Sequence, residues 1–128
     1  MEEILIQSIK LENELTIKLF DGSRKIAGDR WFVSLIARAE VPINMDFFKE
    51  DPKVEINIDE IRSALGEHIV FEQKFEKNFV DETEKPKIIN RQQESFISSI
   101  LPYIGLPQFP RMFILKEYHK AAQKRSRC

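Results

Sequence analysis

From residue 30 to residue 42, RWFVSLIARAEVP, the chain alternates with a period of two. Trp31, Val33, Leu35, Ala37, Ala39 and Val41 share one face, and Phe32, Ser34, Ile36, Arg38 and Glu40 share the other. The first face is apolar without a break, which predicts a β-strand with that side turned to the core. It also carries the only tryptophan, so this strand is expected to be the ribbon around which a sheet assembles.

The same pattern organises the rest. Residues 4–11 predict a first strand, with Leu5, Ile9 and Leu11 on one face beside Gln7, and Ile4 and Ile6 on the other. Glu12 and Asn13 break it, and asparagine tolerates the left-handed backbone that a hairpin turn requires. Residues 15–20 return as a second strand. The segment 21–29, DGSRKIAGD, reads as a turn-rich loop leading into the organising strand, which Pro42 ends for want of an N–H. Residues 43–54 are irregular, with Phe47 and Phe48 as anchors and a turn at Asp51 and Pro52.

Asn57 and Glu60 have the spacing of a capping box for a short helix with the stripe Ile58, Ile61 and Leu65, stopped by Gly66. Residues 68–80 alternate again: Ile69, Phe71, Phe75 and Phe79 on one side, Glu72, Lys74 and Glu76 on the other. A charged linker, 81–87, precedes a helix capped by Asn90, with Phe96, Ile97, Ile100 and Leu101 as its buried stripe. Pro102, Gly105 and Pro107 break the chain, and a last helix starts near Pro110 with Met112, Leu115, Tyr118 and Ala122 at helical spacing. The order β-β-β-α-β-α-α predicts an α+β fold: an antiparallel sheet of about four strands with helices packed on one face. A curled half-barrel is the second choice. Residues 1–128 read as one globular domain, with 124–128 a frayed basic tail.

Composition sharpens this picture in two ways. Ten phenylalanines in a chain 42% apolar supply one core, while charged residues reach 32%, above the usual quarter or so. The opening residues are acidic and alternating, unlike a secretory leader, and no window nears the ~18 apolar residues of a membrane span. With Cys128 as the only cysteine, a cytoplasmic protein without membrane contact is expected. A net charge of −1 conceals a division. Residues 40–85 hold thirteen acids against six bases, and residues 86–128 hold eight bases against two acids.

Candidate chemistry is sparse. The two histidines, His68 and His119, have no cysteine near them and no metal-binding spacing, so neither a metal nor a cofactor is expected. No serine sits in a GxSxG context. The 21–29 loop is neither a P-loop nor a GxGxxG turn, yet Arg24, Lys25 and Arg30 crowd it between two glycines, a composition suited to an anion. The last helix offers Lys116, Lys120, Lys124 and Arg125 beside the apolar Phe109 and Met112, a composition suited to a partner surface. The leading expectation is a non-enzymatic protein-interaction or adaptor domain whose partner is another protein or a second copy. The alternative is an anion, nucleotide or nucleic-acid binding module using the 24–30 loop and the basic helix, although the balanced charge opposes nucleic acid. A second alternative is an enzyme on the sheet face near Ser34, Arg38 and His68.

Overall fold

The computed structural model describes residues 3–48 and 57–126, with the side chains of 125 and 126 left out. It is an α+β fold: a curled antiparallel sheet with its helices on one face. The strands are β1 (Ile4–Lys10), β2 (Thr16–Asp21), β3 (Arg24–Ala27), β4 (Arg30–Pro42) and β5 (His68–Asp81). The helices are α1 (Ile58–Leu65), α2 (Lys85–Ser99), α3 (Leu101–Ile104) and α4 (Phe109–Ser126), with a 3-10 turn at Met45–Phe48.

β4 is the central ribbon, as its alternation predicts. Its odd-numbered face, Val33, Leu35, Ala37, Ala39 and Val41, is fully buried, together with Ile17 and Leu19 of β2. Trp31 lies on the same face, half-buried, with Lys85 Nζ at the start of α2 placed 4.3 Å over its ring. Phe96 and Ile89 of α2, Ile104 of α3 and Ile114 of α4 complete the core.

The loop expected at 21–29 is instead mostly strand. β3 pairs with β4 in the register that β2 has already set: Asp21 faces Leu35 and Arg24 faces Phe32. β2 and β3 are therefore one ribbon interrupted at Gly22 and Ser23. The Gly22 N–H still reaches the Ser34 carbonyl at 2.9 Å. The Ser34 N–H donates to Ser23 Oγ at 3.1 Å, so a side chain stands in for the missing backbone acceptor. A Cβ at Gly22 would lie 2.8 Å from Ile36 Cδ1, so the end of that side chain would have to shift to admit one. Gly28, at φ +59, makes the turn into β4. The sheet therefore runs β1, β2 with β3, β4, β5, and among the described residues β1, β3 and β5 each pair on one side only.

Two bulges overturn the expected side-chain faces. The β1 register shifts between Leu5 and Gln7. Leu5 consequently lies opposite Phe20 on the open face, away from the helices, whereas Gln7 and Ile9 lie opposite Leu19 and Ile17 on the helix face. At the far end of β5, Lys77 faces Val33 and Val80 faces Trp31, two residues on β4 against three on β5. Phe79 falls in this bulge, at φ +55 and 74% exposed, rather than on the core face with Phe71 and Phe75.

The helices also differ in detail. α2 begins at Lys85, within the expected linker and ahead of Asn90, because Pro86 suits a first turn that has no use for its N–H. Of the predicted stripe, Phe96 is buried and Ile97 is exposed. Asn57 caps α1 by accepting from the Asp59 and Glu60 N–H groups, and Gly66 at φ +91 ends it. Glu60, expected to reach back to the cap, turns to the Tyr118 hydroxyl at 3.5 Å. α4 is helical to Ser126, so most of the segment read as a frayed tail continues the helix. The turn expected at Asp51 and Pro52, along with Cys128, lies outside the described residues. Among the described residues, no helix is long and apolar enough to cross a membrane.

Candidate functional site

The three cationic residues of the 24–30 segment do not converge. Arg24 stacks its guanidinium on Phe32, 5.2 Å from the ring centroid, on the open face. Lys25 lies opposite Trp31 and so projects on the helix side. Arg30 donates to Asp81 at 3.0 Å across the end of the sheet. A flexible loop could have gathered these charges, but a strand sends successive side chains to opposite faces.

Ser34 and His68 are separated by the same geometry. Ser34 is buried opposite Glu76, whereas His68 is opposite Pro42. These positions are eight residues apart along β4, roughly 26 Å. Among the described residues, no three His, Cys, Asp or Glu side chains gather as metal ligands would.

Arg38 is placed at the centre of the open face, where it fastens strands together. Its Nε donates to Glu72 of β5 at 2.7 Å. Nη1 and Nη2 donate to the two oxygens of Glu3, just ahead of β1, at 3.1 Å each. Its guanidinium lies 5.1 Å from the Phe20 ring centroid. The carboxylates of Glu3 and Glu72 hold its proton more tightly than usual, and its hydrogen bonds hold the Glu3 carboxyl below the ordinary range. A guanidinium committed in this way bridges β1, β4 and β5 and has little left to offer a ligand.

On α4, Phe109 is 4% exposed and packs edge-on to Phe71 and Tyr103, so it belongs to the core. Met112 is exposed, as are Lys116, Lys120 and Lys124, which share its side of the helix at intervals of four. Lys120 pairs with Glu117 at 3.4 Å. Arg125 continues the helix. The predicted partner surface is thus reduced to a basic stripe with a single apolar residue.

A different surface gathers the exposed apolar side chains. Ile4 is 62% exposed, Leu5 51% and Ile6 38%, all on the edge strand β1. Beside the end of that strand, a groove of about 330 Å³ is lined by Leu11, Ile97, Leu101, Leu106 and Pro107, among others. The edge is positioned by polar ties. Gln7 Nε2 donates to Gln93 of α2 at 2.9 Å. Asn13 Nδ2 donates to the carbonyls of Ile104 and Leu106 at 2.8 and 2.9 Å. Asn13 was expected to adopt the left-handed turn, but Glu14 does so at φ +75, leaving Asn13 free to fasten the hairpin to α3. Sequence reasoning missed this surface because nothing local to residues 4–6 says that their strand lies at an edge, which is what leaves both of its faces exposed there. The signal available was the run itself, three apolar residues without the alternation of a strand covered on one side.

No family model, curated protein or solved structure matches this chain, so the functional argument rests on its own residues.

Proposed function

We propose that this protein is a non-enzymatic interaction module that engages a protein partner by strand addition at β1. The observation that supports this most is the chemistry of the edge. From Ile4 to Ile9, β1 contains no charge and no proline, and it exposes Ile4, Leu5 and Ile6. Natural edge strands usually discourage pairing with lysine, proline or an inward charge. Apart from the bulge between Leu5 and Gln7, the edge lacks these devices and offers backbone donors and acceptors to an extended segment, with alternate side chains adding specificity. The groove at Leu11, Ile97 and Leu106 would take an apolar side chain of the added segment beyond the end of the strand.

A library of eight-residue peptides displayed on phage tests this reading. Selected peptides should be apolar and extended, shift amide resonances of β1 and the groove, and lose binding to Ile6→Lys. Selected peptides whose shifts map to α4 or the open face would overturn it.

A further inference from the structure

We propose that the strand received by β1 is β1 of a second copy, paired antiparallel about a two-fold axis. The inference rests on β1 being the docking edge and names its occupant. The charges along the strand favour this arrangement. An acid, Glu3, stands at one end, Lys10 stands at the other, and the residues between are uncharged. Antiparallel pairing brings Lys10 of each copy to Glu3 of the other, whose carboxylate already accepts two hydrogen bonds from Arg38 and would be shared with it, whereas parallel pairing would set like against like. Among the described residues Lys10 pairs with the highly exposed Glu14, at 3.8 Å, a contact that can be redirected at small cost.

The same arrangement accounts for two exposed isoleucines. Ile4 lies opposite Asp21, which faces Leu35, so its side chain is on the helix side of the sheet. Ile97 of α2 lines the groove beside Lys10 and Leu11, at the other end of the same edge. In an antiparallel pair, the Lys10 end of one copy meets the Ile4 end of the other. Ile97 of each copy then approaches Ile4 of its mate, and the two-fold axis makes this contact twice. The combined sheet would have its helices on one side and a β5 at each outer edge.

Light scattering on the full chain tests the proposal at a concentration of about 100 μM, which populates any dimer with Kd near or below that value. The expected mass is twice the 15.1 kDa of one chain. Ile4→Lys and, independently, Ile97→Lys should each return it to 15.1 kDa with an unchanged circular dichroism spectrum. Lys10→Glu should weaken the dimer only about twofold, because the Glu3 it meets is already paired with Arg38 and the contact is exposed. A monomeric wild type, or a dimer that survives both isoleucine variants, would overturn self-pairing. A monomeric wild type whose selected peptides still map to β1 would overturn self-pairing alone and leave strand addition standing. Peptides that map elsewhere would remove both.

Discussion

β1 and β5, edge strands at the two ends of this sheet, are built on opposite plans. β5 is held from beneath by rings: Phe71 stacks edge-on to Phe109 and Phe113, and Phe75 packs against Phe96. Its open face carries Glu72, Lys74 and Glu76, and its far end bulges at Phe79. β1 is held by side-chain amides, through Gln7 and Asn13, and it exposes Ile4, Leu5 and Ile6 along with Ser8 and Lys10. β5 carries charges along its length as well as a bulge, features by which a sheet terminates itself, whereas β1 shares only the bulge and is uncharged from Ile4 to Ile9, with Lys10 at its end. This contrast within one sheet is what directs the functional argument to β1. Arg38 links the two plans, since one guanidinium holds Glu3 next to β1 and Glu72 on β5.

If rings hold β5, their loss should produce the largest effect. Phe71→Ala is expected to cost about 3 kcal/mol in denaturant unfolding, the low end for a partly buried ring. A cost under about 1 kcal/mol would show that the edge is held in some other way. Asn13→Ala should cost less, about 1–2 kcal/mol, because two carbonyls lose a shared donor near the surface. Faster amide exchange should then appear in the β1–β2 hairpin before it appears in β5.

Phe79→Gly should raise stability by about 1 kcal/mol, since glycine takes φ +55 freely and the lost ring is exposed. An unchanged thermal midpoint would mean that the ring itself is held by contacts. The contrast between edges can also be reversed directly. Replacing Lys74 and Glu76 with valine should change stability by no more than about 0.5 kcal/mol, yet make β5 associate, as read by light scattering. A double variant that remains as dispersed as wild type would show that charge is not what protects this edge.

Acid should loosen both edges, with the smallest signal. Arg38 depresses the Glu3 carboxyl. Asp81 is depressed by the Thr83 N–H first, then by the Thr83 hydroxyl and Arg30. A carboxyl with a lowered folded value stabilises above its ordinary value, 4.5 for Glu3 and 3.8 for Asp81, and that contribution fades as pH falls through the folded value. Backbone exchange near Glu3 and Asp81, corrected for its intrinsic pH dependence, should therefore quicken below about pH 4. Exchange that quickens instead as pH rises from 5 to 7 would contradict this linkage.

Much of the fold was legible in local pattern. The core face of β4 from Val33 to Val41, the Asn57 cap, the Gly66 stop and the start of α4 near Pro110 each depend on residues within a turn or a strand of themselves. Nearest-neighbour geometry sets such features, so the sequence carries them in full. The candidate site was legible only in fragments. Arg24, Lys25 and Arg30 are close in sequence, but whether they converge depends on their segment pairing with β4. Phe109 and Met112 are close on one helix, but α4's contact with Phe71 decides which of them is buried.

What the chain determined alone is where strands and helices form and which residues alternate within them. What the tertiary structure decided is the phase of that alternation and the place of each strand in the sheet. One extra residue near Ile6, and another near Phe79, reverses the faces beyond it without altering composition or period in any visible way. Whether a strand is central or an edge is a property of its partners, which come from distant parts of the chain. Residues 4–6 became a surface because β2 pairs with β1 on one side and no described residue pairs with β1 on the other.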